Sequence, residues 1–135
     1  MTLLTLSDAE RLAKRAASEA RTRGFNPMSI CVIDSSGNIK YALREDGVGL
    51  AGVDIALGKA RAALNFGCTS RQIADALAGN PLAGPSVISV LEGRVVLLAG
   101  GAPITGPGGE TLGALGAAGD APDNDEAIVL AAIGD

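Results

Sequence analysis

The sequence predicts a layered α+β (α/β) domain, with about five strands in a largely antiparallel sheet and helices on both faces. Three observations predict it. Apolar spacing switches between helical and strand-like periods in the order α, β, β, α, short α, β, β, β, α. Turn-forming residues join two strand pairs as hairpins, so neighbouring strands run antiparallel. Val95 to Ala99 is apolar throughout, the pattern of a central strand covered on both sides rather than one facing water.

Ser7 to Gly24 opens the chain as a helix. Ala9, Leu12, Ala13, Ala16, Ala17 and Ala20 recur at helical spacing, Ser7 and Glu10 suit a capping box with Leu6 as staple, and Gly24 suits the C-cap. Met28 to Ile33 and Ile39 to Leu43 read as a hairpin around Asp34-Ser35-Ser36-Gly37-Asn38, with Asp34 in an Asx-type turn. Leu50 to Phe66 is a second helix ending at Gly67. Thr69 to Leu77 is a short third helix with Thr69 and Gln72 as a capping box, stopped at Gly79-Asn80-Pro81. Pro81 to Pro85 reads as loop. Ser86 to Glu92 and Arg94 to Ala99 read as strands around Gly93, and Thr111 to Ala117 as the last strand after the Gly106-Pro107-Gly108-Gly109 turn. Asp123 to Ile133 closes the chain as a helix, with Asp123 and Glu126 as its capping pair.

Composition narrows the function. A chain of 135 residues supports one domain, spanning 1–135, and 47% hydrophobic residues argue against disorder. Phe25, Tyr41 and Phe66 are the only aromatic residues, too few for a base-stacking platform. The net charge is −4 and no Lys/Arg block occurs, which sets nucleic acid and anionic membranes aside as partners. Charged residues are only 19% and alanines many, as expected of a homo-oligomer that buries area between identical subunits. The absence of histidine removes the usual general base and the His-ligated metal sites. The acidic group Asp120, Asp123, Asp125 and Glu126 does not follow a calcium-loop pattern, so no metal site is expected. Cys31 and Cys68 do not make a disulfide framework; Cys31 reads as a buried thiol and Cys68 as part of a helix–helix joint. The sequence shows no secretory pattern and no apolar run of membrane-spanning length, so the expected location is cytoplasmic.

Lys59 is the leading site candidate. It stands alone in a mainly apolar row with Ile55, Ala62 and Phe66, and a buried ammonium is costly unless paired. Such a lysine can bind a carboxylate, transfer a proton or form an imine, or else serve as a fold-fixing ion pair with Asp46. Asp46, at the end of the hairpin, is the expected partner that would orient Lys59 or shuttle its proton. Arg44 would clamp a carboxylate, or remain a solvated strand end. Arg61 reads as structural or interfacial. Gly100 and Gly101 would present backbone N–H groups to an anion or enolate, or form a bulge, and Pro103 closes the same segment.

Several pieces, taken in order, resemble a known family: Val32-Ile33-Asp34-Ser35-Ser36-Gly37, Arg44-Glu45-Asp46-Gly47, Ile55-Ala56-Leu57-Gly58-Lys59-Ala60-Arg61-Ala62-Ala63, Gly100-Gly101-Ala102-Pro103-Ile104, Gly113-Ala114-Leu115-Gly116 and Asp123-Asn124-Asp125-Glu126. From Leu6 to about Ala132 the chain resembles the GlcG/HbpS family, which includes the C-terminal domain of PduO-type proteins. The resemblance implies a profilin-like sheet flanked by helices and assembly as dimers or larger symmetric rings. Some members bind haem, with links to haem sensing or corrinoid metabolism; others sit among genes for degrading small organic acids. Against the haem-binding pattern this sequence lacks histidine, leaving Lys59, Met28, Tyr41, Cys31 or Cys68 as unusual axial ligands.

The expected function is therefore a small cytoplasmic protein without a cofactor that holds a compact organic ligand near Lys59 and Gly100-Gly101. The alternatives are a cofactor-free enzyme acting on a small oxo or hydroxy acid, by proton transfer, lyase or hydrolase chemistry, and a haem-binding protein, which the missing histidine disfavours.

Overall fold

A computed structural model describes residues 3–134. The elements are α1 (Leu6–Thr22), β1 (Ser29–Asp34), β2 (Ile39–Arg44), α2 (Gly52–Phe66), α3 (Ser70–Leu77), α4 (Ala83–Val90), β3 (Gly101–Thr105), β4 (Thr111–Ala118) and α5 (Pro122–Ile133). The strands form one antiparallel sheet in the order β2-β1-β4-β3. The mixed architecture matches expectation, with four strands rather than five among the described residues.

The strands covered on both faces are the two central ones, β1 and β4. Ile30 and Val32 join one core with α1 and α5, while Cys31 and Ile33 join another with Ala56, Ala60 and Ala63 of α2. Period-two alternation sends successive side chains to opposite layers, and both layers are apolar here. On β2 the packed side chains are Tyr41 and Leu43, while Lys40, Ala42 and Arg44 face water, as suits a sheet edge. The turn between β1 and β2 has the expected chemistry: Asp34 Oδ1 accepts from the N–H groups of Ser36 at 2.9 Å and Asn38 at 3.1 Å.

Helix α2 lies unusually close to the sheet. A Cβ added at Gly101 would run into the carbonyl oxygen of Lys59, and one at Gly116 into that of Ala56. Paired across β3 and β4, these two glycines let the α2 backbone rest directly on the strands. The alanines of α2 serve the same end.

Three elements depart from expectation. Ser86 to Glu92 is not a strand but most of α4 and its C-terminus. Its valines and isoleucine favour strands, yet Ser86 N–H donates to Leu82 C=O at 3.1 Å and Leu91 N–H to Val87 C=O at 3.1 Å. Pro85 sits in the first turn, where its missing N–H costs nothing. Val95 to Ala99 is irregular chain rather than a strand. Val95 is buried with Ala62 and Ile73, and Val96 N–H donates to Gly58 C=O at 3.1 Å, so the run is apolar because it packs on helices. The missing strand is β3, which begins within the glycine pair itself. Pro103 is tolerated there because β3 is an edge strand.

Two helix starts also shift. Helix α1 is capped by Thr5, whose Oγ1 accepts from Asp8 N–H at 3.1 Å, and Leu4 rather than Leu6 is the buried residue beside it. Helix α5 begins at Pro122 instead of being capped by Asp123. The Thr69–Gln72 capping box of α3 forms as expected. Among the described residues no helix is long and apolar enough to cross a membrane.

Candidate functional site

Lys59 is buried, 2% exposed, on the face of α2 that meets the sheet. Its ammonium passes Gly100, just before β3, and reaches α5. Nζ donates to Asp125 Oδ2 at 2.9 Å and to Ala117 C=O at 3.1 Å. Asp125, 1% exposed, also accepts from Asp120 N–H on Oδ1 at 2.9 Å. Burial pushes the Asp125 carboxyl up, and the bonds from Lys59 and Asp120 oppose that rise. The acid beside Lys59 is thus Asp125, whereas Asp46 lies exposed in the turn after β2. Arg44 is exposed at the end of β2.

Gly100 and Gly101 wall in the lysine itself. A Cβ at Gly100 would lie 2.9 Å from Lys59 Nζ. The Gly101 N–H donates to the buried Ser70 Oγ at 2.8 Å, so that donor is already used. Pro103 is half-buried on β3. Asp123 and Glu126 pair with Arg71 of α3, at 2.8 Å for the Arg71 Nε to Glu126 contact, and these carboxylates raise the Arg71 guanidinium further. The acidic cluster is therefore a clasp: α2 and α3 each send one cation to the first turn of α5.

Open space lies elsewhere. A cavity of about 490 Å³ is bounded by Arg61, Leu64 and Asn65 of α2, the Ser35–Asn38 turn, and Leu91, Arg94 and Val95 after α4. A second hollow of about 450 Å³ adjoins it, lined by Asn65, Phe66, Ser86, Val87, Val90 and Leu91. Asn65 and Leu91 belong to both. The first is polar and carries two guanidinium groups; the second is mainly apolar, with Asn65 and Ser86 its polar residues. Helix periodicity explains the pairing: Arg61 and Asn65 are one turn apart on α2, as are Ser86 and Val90 on α4. Helix α4 buries none of its residues although it is largely apolar, and Val90 and Phe66 are 80% and 48% exposed. Arg94 is a site residue that the reading of 94–99 as a strand concealed. Arg61 is near enough to Cys31 to oppose the rise that burial gives its thiol.

The possible axial ligands named from the sequence are poorly placed for a metal in this cleft. Met28 and Cys31 are fully buried in the core, Tyr41 packs toward α1, and Lys59 is engaged by Asp125. Cys68 is partly exposed in the joint between α2 and α3 and packs against the cluster of Ala62, Ile73 and Val95.

A family model described as "Haem degrading protein HbpS-like" matches residues 4–134. No curated protein matches the chain. Among solved structures, a double mutant of Streptomyces reticuli HbpS is similar at a TM-score of 0.86 and 31% identity, covering 98% of this chain and 86% of that one. A structure described as the PduOC:Heme complex is similar at a TM-score of 0.86 and 26% identity, covering 98% and 94%. Klebsiella pneumoniae protein ORFY is similar at a TM-score of 0.85 and 25% identity, covering 96% and 87%. The haem complex corrects the expectation of no cofactor: a protein of this fold and comparable length is known with haem, so the missing histidine does not set haem aside. The family model spans the sheet, the Lys59–Asp125 clasp and the α4 cleft together, and the chain belongs to the HbpS-like family.

Proposed function

We propose that the protein binds haem in the cleft between α2 and α4. One observation carries this reading: the apolar hollow of Phe66, Val87, Val90 and Leu91 adjoins a cavity holding Arg61 and Arg94. Haem has the same division, an apolar macrocycle with two carboxylates on one edge. The hollow would take the ring, and the guanidinium groups would pair with the propionates. Each cavity lies in the size range of small-molecule sites. When bound, haem would supply an iron centre for ligand exchange or electron transfer; the chain's part is to hold the ring and partly exclude water. The likeness to a haem complex of the same fold supports the reading.

Self-association belongs to the same reading. Leu82 and Ile88 of the α4 region stand 73% and 36% exposed outside that hollow, an apolar surface that a second copy would cover. The test is titration of the purified protein with haem, followed by the Soret band. Wild type is expected to saturate at one haem per chain, and Arg61→Ala/Arg94→Ala to bind at least about tenfold more weakly. Unaltered affinity in that double variant, with its fold intact by circular dichroism, rejects the site.

A further inference from the structure

Building on that haem reading, we infer that the cleft selects a porphyrin dicarboxylate by its ring and its two carboxylates, with no iron bond from the chain. The residues of the apolar hollow offer only amide and hydroxyl oxygens as potential ligands, from Asn65 and Ser86. Neither is a strong donor to iron, for which imidazole, thiolate and thioether are the usual protein ligands. The stronger donors are held elsewhere. Met28 and Cys31 point into the core of the sheet at 0% exposure, and Cys68 packs against Ala62, Ile73 and Val95 and lines neither cavity. The Cys31 thiol is pushed up to about 11 by burial, so it stays protonated at neutral pH. Lys59 Nζ is taken up inside the fold by Asp125 Oδ2 and Ala117 C=O. A second copy of the chain brings no histidine either.

The recognition elements of the cleft are a mainly nonpolar surface and two guanidinium groups. Neither reads the metal. Arg61 and Arg94 lie on different elements, α2 and the segment after α4, so two carboxylates on one ligand edge can be met by two separate cations. Arg94 is held only by the exposed Glu92 at 3.4 Å and by Leu91 C=O, weak surface contacts that a ligand carboxylate can replace. The ligand class is therefore a flat tetrapyrrole with two free carboxylates, whether metal-free or metallated.

The experiment compares four ligands on the wild-type protein: iron protoporphyrin IX, zinc protoporphyrin IX, metal-free protoporphyrin IX and its dimethyl ester. Binding is read by absorbance and, for the metal-free and zinc forms, by porphyrin fluorescence. The three free acids should bind within about threefold of one another, and the dimethyl ester at least about tenfold more weakly than its parent acid. An iron form that binds about tenfold or more tightly than the metal-free form overturns the inference and leaves the haem reading intact. Equal binding of the ester overturns the role of the carboxylates. Failure of all four to bind removes the haem reading and this inference with it.

Discussion

Lys59 and Asp125 come from helices on opposite faces of the sheet, yet Nζ and Oδ2 meet at 2.9 Å beside Gly100 and Ala117. Both groups are nearly sealed from water. Attraction in such a place offsets desolvation only while both partners are present, so removing one leaves a buried charge without a counterion.

Asp125→Ala should therefore destabilise the protein by about 3–5 kcal/mol in urea denaturation. Lys59→Met should cost a comparable amount, and the double variant distinctly less than the sum of the two. Strict additivity would show that the pair acts as two independent groups.

Gly101→Ala and Gly116→Ala should each be disruptive, because the new methyl meets helix backbone that cannot rotate away. A loss of about 1–3 kcal/mol is expected for either, the range for overpacked cores. Thermal unfolding monitored by circular dichroism gives the comparison, and a variant as stable as wild type would mean that α2 can lift off the sheet at little cost.

Cys31 predicts a pH dependence at the alkaline end. Burial raises its thiol from 9.0 to about 11, with the Arg61 charge opposing. The unfolded chain thus loses this proton first. Its contribution to stability is complete below pH 9.0 and is lost as pH rises through about 11, up to roughly 3 kcal/mol. Urea titrations of wild type and Cys31→Ala across this window test it: the variant should lack that part of the slope, and identical slopes would refute the assignment.

Arg71→Ala should act differently from Lys59→Met. Arg71 and Asp123 are solvent-accessible, so the loss should be small and shrink further in high salt. A salt-independent loss as large as that of Lys59→Met would place Arg71 in the same buried network.

Much of this fold was legible in the sequence, and the failures share a cause. The β1–β2 hairpin, α2 and α3 carried two signals each, a period and a turn or cap, and both agreed. Val95–Ala99 carried one, continuous apolarity, which a strand between helices and a chain segment packed on Ala62 and Ile73 produce alike. In α4 the β-branched Val87, Ile88 and Val90 outweighed Pro85, whose place in a first turn is visible only once the helix is known. Gly101 read as a bulge or an anion-facing wall because glycine weakens strands; the passage of α2 that requires it is a long-range contact. At the site, Lys59 stood out as a charge in an apolar row, but its partner lies 66 positions later in the sequence. No local pattern joins Arg61 to Arg94 either, since the loop after α4 brings them together.

The clasp on α5 also bears on synthesis of the chain. Lys59 leaves the ribosome long before Asp125, and until that carboxylate arrives the ammonium has no counterion inside the protein. Helix α2 cannot settle onto the strands without stranding a charge. A nascent chain that stops short of α5 thus keeps the layer between α2 and the strands open, and closure waits until α5 has been made.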